Sequence, residues 1–427
     1  MIILSTVDSF AAAEAGRHVL LVAYYFPPLG GIGSVRMGSF ARFLPEYGWR
    51  VTILAATNPA QPLDPDLRFP PEKVIRTGSL EISRVGKQVL RTGGTDSLPA
   101  RLTGARRGIQ AAARRYVYFP DAQIGWYLPA LRVGRAAVKR ESFDAVFSSA
   151  FPVTAHLIAR RLARQARIPW VAEYRDPFSD LVESGTLNRQ RARRLERSIA
   201  KEAAGIVMSS PSWARAHAQR WDRPVSVITN GYDETIRAYP PGDEFVLAHL
   251  GSLYPQWQDL TGLCRALCNL IDRGRAPDRL CFIGEPQLEV RKELTAFGLG
   301  PRVEVTGIRP LSEALERLRY ATALLLVGPK DGREELRGWS SGKMYEYLAS
   351  DLPVIYVGDT ATDAAHLLAG YEGCYVVGPR DVEGLVAALL DCRDKRFVRD
   401  VRHFSRRALT EKLATLLDEA CGFTSAG

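Results

Sequence analysis

Residues His18–Ser34 read HVLLVAYYFPPLGGIGS. The unbroken apolar run as far as Tyr24 is what a parallel strand covered on both faces looks like. It passes straight into two prolines and three glycines, after which Val35, Phe40, Phe43 and Leu44 recur as the apolar positions of a helix starting near Ser34. Strand, glycine-rich turn and helix in that order open a βαβ unit. Glycines at such a turn let backbone N–H groups come close to a phosphate or a sugar beside the helix start. A dinucleotide fingerprint fits poorly: Arg36 stands at the third glycine position, and Ala55–Ala56 stand where an acidic residue is needed. A tight turn without ligand is the other reading of the same residues.

The same pattern repeats along the chain. Apolar runs predict strands at His18–Tyr24, Val51–Ala56, Val74–Thr77, Ala145–Ser149, Trp170–Tyr174, Ile206–Ser209 and Val225–Thr229. A second series follows at Phe245–Leu250, Leu280–Ile283, Val303–Thr306, Ala323–Val327, Pro353–Val357 and Gly373–Val377. Helix-length segments separate them, so the class is α/β with doubly wound parallel sheets. Thirteen strands exceed one ordinary sheet, which predicts two. The stretch Arg237–Glu244, RAYPPGDE, is the natural linker. The expected division is a first domain over 17–236, a second over 245–400, and a last helical segment within 401–427 packing back on the first. Two such domains set two rows of strand carboxyl ends against one cleft, where ligands of these sheets bind.

The chain has 427 residues, 46% of them hydrophobic and 24% charged, which suits two packed domains and excludes wholesale disorder. Its net charge of +10 comes from 57 Lys+Arg against 47 Asp+Glu. Residues 84–140 hold twelve Lys/Arg and two Asp, which accounts for the whole excess. Six cysteines without CxxC spacing, and scattered histidines, argue for reduced thiols and against a metal site. The N-terminal sixteen residues make a poor signal peptide, and no run reaches the length of a membrane span. The expectation is a cytoplasmic protein with a loose N-terminal tail.

Four motifs, in order and spacing, carry a resemblance: YYFPPLGGIGSVR at 24–36, Glu173-Tyr174-Arg175-Asp176-Pro177, His249-Leu250-Gly251-Ser252-Leu253-Tyr254, and SGKMYEYLA at 341–349 followed by Leu352-Pro353-Val354-Ile355. Together they resemble glycosyltransferase family 4, two-domain enzymes of the GT-B fold, over nearly the whole chain. The resemblance implies two Rossmann-like domains facing a central cleft. It implies sugar transfer from a nucleotide diphosphate sugar with retention of anomeric configuration, a hexosyltransferase-type reaction. It also implies no obligate metal. The donor is expected to be a UDP-sugar, with GDP- and dTDP-sugars as alternatives. The acceptor is a hydroxyl of a glycan, a lipid-linked sugar or a small natural product.

Lys343 and Glu346 lie three apart on a helix-like segment and share a face. A diphosphate needs cationic and N–H partners and a ribose diol needs a carboxylate acceptor, so one helix end could serve both. A solvated ion pair is the plain alternative. The resemblance gives Glu346 the ribose hydroxyls. It gives Lys343 and the Gly251-Ser252 turn the diphosphate, and counts Ser341, Gly342 and Met344 among the donor-binding residues. Gly284, Ile308 and Arg309, just past the next strands, would form the base pocket, with Gly31 and Gly33 approaching from the first domain. Arg175 and Asp176, at a strand end, are candidates for acceptor binding or for shaping the centre; His156, on an apolar segment, is either a core residue or a site residue.

Two positions depart from the family pattern. The first of the family's two glutamates falls at Gly338, leaving Asp331, Glu334 or Glu335 to replace it. No basic residue follows the Gly251-Ser252 turn, leaving Arg309, Lys330, Arg333 or Lys343 for the diphosphate.

Within the basic segment, Leu102, Ala105, Ile109, Ala113 and Tyr116 approximate one helical face, with arginines off it. A basic amphipathic helix predicts peripheral contact with anionic membrane, at the inner face of the cell membrane. No nucleic-acid-binding motif accompanies the arginines. Rival readings of the chain are a nucleotide-sugar epimerase or hydrolase, or a silent nucleotide-sugar-binding protein on the same fold.

Overall fold

The computed structural model describes residues 16–57, 63–79, 119–182, 187–240, 242–393 and 395–423. Among the described residues thirteen parallel strands form two sheets, one of seven and one of six. The first sheet contains β1 (Arg17–Ala23), β2 (Trp49–Ala56), β3 (Val74–Thr77), β4 (Ala145–Ala150), β5 (Trp170–Tyr174), β6 (Gly205–Met208) and β7 (Ser226–Val227), in the order β3-β2-β1-β4-β5-β6-β7. The second contains β8 (Val246–Leu250), β9 (Arg279–Ile283), β10 (Val303–Val305), β11 (Ala323–Val327), β12 (Val354–Val357) and β13 (Cys374–Val377), in the order β10-β9-β8-β11-β12-β13. Both orders reverse beside their first strand, the switch point at which such sheets leave a crevice. Each predicted run holds a strand, although β7 shrinks to two residues at the edge.

Burial explains why these runs are unbroken. Val19, Leu21, Ile53, Phe147 and Val171 pack on one face of the first sheet, and Leu20, Val22, Leu54, Val146 and Ala172 on the other. The second sheet is covered in the same way, with Leu247, Leu325 and Ile355 on one face and Ala248, Leu324 and Val354 on the other.

The chain crosses between the sheets twice. Outbound, Ile236 pairs with Ser350, and Ala238 N donates to Asp351 Oδ1 at 2.9 Å. On the return, Ser405 pairs with Tyr232, and Arg406 N donates to Tyr232 O at 2.9 Å. The helix Arg406–Cys421, capped by the Ser405 hydroxyl, then lays Leu409, Leu413, Ala414 and Leu417 on the first sheet. Among the described residues no helix is long and apolar enough to cross a membrane. Most of the basic segment, including the amphipathic stretch 101–118, lies outside the described residues.

Candidate active site between the two sheets

The strand carboxyl ends of both sheets open onto a cleft of about 620 Å³. Its second-sheet wall begins at the turns after β8 and β9. Gly251 and Gly284 there have φ of 86° and 144°, and a Cβ on Gly284 would stand 2.9 Å from Gly251 O. Only glycine fits that approach. Ile308 and Arg309, beyond β10, continue the wall, and Ile308 is 71% exposed.

Lys343 and Glu346 come from the helix Gly342–Leu348 and both line the cleft. The Lys343 ammonium donates to His249 Nε2 at 3.1 Å and to Ser252 O at 3.4 Å. His249 donates from Nδ1 to Leu325 O at 2.9 Å, because a carbonyl can only accept. That tautomer leaves Nε2 as the acceptor for Lys343. Burial, and the Lys343 charge, hold His249 neutral far below its ordinary pKa. Burial pulls Lys343 itself down to about 7. Among the described residues no carboxylate stands against this cation.

Glu346 is 3% exposed. Its Oε1 accepts from Arg406 Nη2 at 2.7 Å, and Arg406 Nη1 donates to Asp233 Oδ2 at 2.7 Å. Its Oε2 is buried and, among the described residues, has no hydrogen-bond partner. Burial pushes the carboxyl up to about 7 against the opposing pull of Arg406. One oxygen is thus held and the other left open, an arrangement suited to accepting from a hydroxyl.

The first-sheet wall is built from Gly31, Ile32, Arg175, Asp176, Trp213 and Asn230. Arg175 is fixed by bonds from Nε to Ala150 O at 2.9 Å and from Nη2 to Phe151 O at 2.6 Å. Burial raises the Asp176 carboxyl against the opposing charge of Arg175. Behind them, Arg36 and Glu173 form a buried pair at 2.7 Å, closed by Ser149 Oγ donating to Glu173 at 2.6 Å.

Four of the expected residues stand elsewhere. His156 is wholly buried between the rings of Trp170 and Tyr174, with Nδ1 bonded to Ser148 Oγ at 2.8 Å. Burial keeps it neutral down to about 3, so it is a core histidine. Gly33 lies under Arg175, where a Cβ would meet the guanidinium at 2.0 Å. Met344 is fully buried in the core of the second domain. Arg333 faces Glu335 at 2.6 Å, and neither lines the cleft.

At Gly338 a Cβ would stand 2.4 Å from Ser210 Oγ and 2.5 Å from the Trp213 ring. The indole thus occupies the space a side chain would need there, and its Nε1 donates to Glu335 O at 3.1 Å. Asp331, Glu334 and Glu335 are all absent from the cleft walls. Three carboxylates brace the opening. Asp363 accepts from Ser212 N at 2.8 Å at the start of the helix Pro211–Trp221, and Asp64 and Asp66 accept from Leu311 N at 3.2 Å and Ser312 N at 3.0 Å. The sequence reading missed Arg406, Asn230, Trp213 and Trp339. None has a local pattern: Arg406, Asn230 and Trp213 reach the cleft from distant elements, and Trp339 stands just ahead of Ser341 outside the motif.

Two parallel-sheet domains with this cleft define a GT-B glycosyltransferase architecture. The family model for Glycosyltransferase Family 4 matches residues 30–235, and that for Glycosyl transferases group 1 matches residues 244–394. The chain belongs to this glycosyltransferase family. Solved structures agree in fold. Sucrose-phosphate synthase from Thermosynechococcus elongatus has a TM-score of 0.61 at 13% identity, over 95% of this chain and 94% of that one. Anabaena HepE in complex with UDP has a TM-score of 0.58 at 15% identity, over 94% and 100%. A UDP-GlcNAc 2-epimerase from Methanocaldococcus jannaschii has a TM-score of 0.51 at 10% identity, over 94% and 99%. No curated protein matches by sequence.

Proposed function

We propose that the protein is a retaining glycosyltransferase that moves a sugar from a nucleotide diphosphate sugar, a UDP-sugar first among them, to a hydroxyl acceptor without an obligate metal. One observation carries the reading: a cation without a carboxylate partner, Lys343, and a half-free carboxylate, Glu346, share a helix and a cleft. A diphosphate supplies the charge that Lys343 lacks. A ribose diol supplies donors for Glu346 Oε2. On this reading Ile308 and Gly284, both in the cleft wall, line the base pocket. Relatives of the same fold that hold UDP or UDP-glucose support the donor class.

In the proposed step the C1–O bond to the diphosphate breaks and the C1–O bond to the acceptor forms on the same face. The acceptor proton passes to the leaving phosphate oxygen, so no side-chain base is required. Lys343 and the N–H groups of the Gly251-Ser252 turn offset the charge that grows on the diphosphate. Arg175 and Asp176, across the cleft, receive the acceptor.

Glu346→Ala should abolish donor turnover while the circular dichroism spectrum stays native; unchanged activity sinks the assignment. Incubation with donor alone separates transfer from epimerase or hydrolase activity, and the product's anomeric coupling constant tests retention. The described end of the basic segment, helix Tyr127–Arg140, exposes Arg132, Lys139 and Arg140, which supports peripheral docking on the inner face of an anionic membrane. Co-sedimentation with anionic vesicles at low salt tests it, and an absence of binding removes that part.

A further inference from the structure

Away from the cleft, a cavity of about 150 Å³ opens between the helix Leu187–Glu202 and the end of the helix Pro211–Trp221. Arg193, Arg197, Arg220 and Trp221 line it, and none of them lines the cleft. Asp180 faces three arginines, with Arg220 Nη2 at 3.0 Å, Arg189 Nη2 at 3.5 Å and Arg193 Nη2 at 3.9 Å. Arg197 is exposed and, among the described residues, has no carboxylate partner.

Three polar groups beside this cavity are buried and, among the described residues, unbonded: Glu196 Oε2, the Tyr174 hydroxyl and the Trp221 indole N–H. Glu196 and Tyr174 are wholly buried. The groups stand together, with Glu196 Oε2 4.0 Å from Arg220 Nη1 and the Tyr174 ring centroid 5.8 Å from that of Trp221. The other Glu196 oxygen accepts from Ser179 N at 2.9 Å, so the carboxyl is held on one side and open on the other. Burial pushes it up to about 7 against the pull of Ser179 and Arg220. Burial, and then the Glu196 charge, keep Tyr174 a neutral phenol and hence a donor.

Native proteins rarely leave several buried polar groups orphaned in one place. Water can bond to them, but water does nothing for the charge. Four guanidinium groups, Arg189 included, surround two carboxylates, which leaves an excess of two positive charges. A ligand that balances the cluster is a dianion with several acceptor oxygens and one hydroxyl to give to Glu196. Hydrogen phosphate has that combination. Sulfate matches its size and charge but has no hydroxyl.

We propose that the cavity is a binding site for inorganic phosphate, held as hydrogen phosphate. Its P–OH donates to Glu196 Oε2, and its other oxygens accept from Arg193, Arg197, Arg220 and the Trp221 indole N–H. A carboxylate can only accept, so it selects the oxyanion that still has a proton to give. The guanidinium groups supply charge-assisted bonds but do not tell phosphate from sulfate.

Calorimetry on the full chain at pH 8 compares phosphate, sulfate and methyl phosphate. At that pH Glu196 is about nine-tenths ionised. Methyl phosphate, whose second proton leaves near pH 6, then has no P–OH. Phosphate should bind about tenfold to a hundredfold more tightly than either, the cost of leaving a buried charged acceptor unpaired. In Glu196→Gln, whose amide can donate, the three affinities should converge. Arg197→Gln, at an exposed position, should weaken all three about tenfold without changing their order. Phosphate binding should persist in Lys343→Met, because the cavity shares no residue with the cleft. Equal binding of phosphate and sulfate, phosphate binding that Lys343→Met removes, or no phosphate binding at all overturns the proposal. UDP titrated separately reads the donor site, so either site can fail alone.

Discussion

Donor binding should take up a proton. In the empty site burial holds Lys343 near 7, so at pH 8 about nine-tenths of the molecules carry a neutral amine. A diphosphate against that amine favours the ammonium and lifts its pKa back towards the ordinary 10.5. Binding at pH 8 should then absorb about 0.9 proton per site. The affinity follows from the same numbers. Charging the amine costs the empty protein about 1.4 kcal/mol for each pH unit above 7, a factor of ten. Between pH 7 and pH 9 UDP affinity should fall about fiftyfold if the full shift is recovered. The ligand's own phosphate titrates near pH 6, outside that window. Calorimetry of UDP binding at pH 8, in buffers of different ionisation enthalpy, reads the proton directly, and Lys343→Met should remove it. The stability of the empty protein has the matching sign. Between about 7 and 10.5 the unfolded chain keeps a proton that the folded one sheds, so Lys343 makes stability rise with pH across that range. Zero uptake in the native protein, or uptake that survives Lys343→Met, would refute the reasoning.

Other outcomes follow from the same geometry. Arg406→Met should push the Glu346 carboxyl above its present value of about 7 and move the acid limb of kcat/KM for the donor to higher pH, whereas Arg406→Lys should move it less; a pH–rate series decides. Arg36→Met leaves Glu173 buried without its cation and should destabilise the protein by about 3–5 kcal/mol, read from urea unfolding. Gly338→Glu forces a side chain into Trp213 and should cost about 1–3 kcal/mol; Trp213→Ala in the same chain should recover part of the loss in a thermal melt.

The strands were legible because burial on both faces demands unbroken apolar runs such as Val51–Ala56, and a run needs no knowledge of its partner. Lys343 and Glu346 were legible because their helical spacing is local. Arg406 was not: it lies sixty positions after Glu346, and only the return crossing brings the two within 2.7 Å. The vacancy at Gly338 was visible as a missing carboxylate, but Trp213 as the group filling that space was not. His156 was open to either a core or a site reading. The rings of Trp170 and Tyr174 enclose it, and enclosure depends on neighbours that its own segment does not contain.

The two crossings between the sheets run side by side, joined where Tyr232 pairs with Ser405. Two parallel tethers act as a door hinge and permit rotation about essentially one line. A lever moves least at its fulcrum, and Arg406, with its grip on Glu346, begins one residue beyond that line. Any opening of the cleft would therefore swing the Gly31 and Arg175 wall through a wide arc while Glu346 kept Arg406 against it. On the function proposed above, an acceptor would then leave without loosening the hold on the donor.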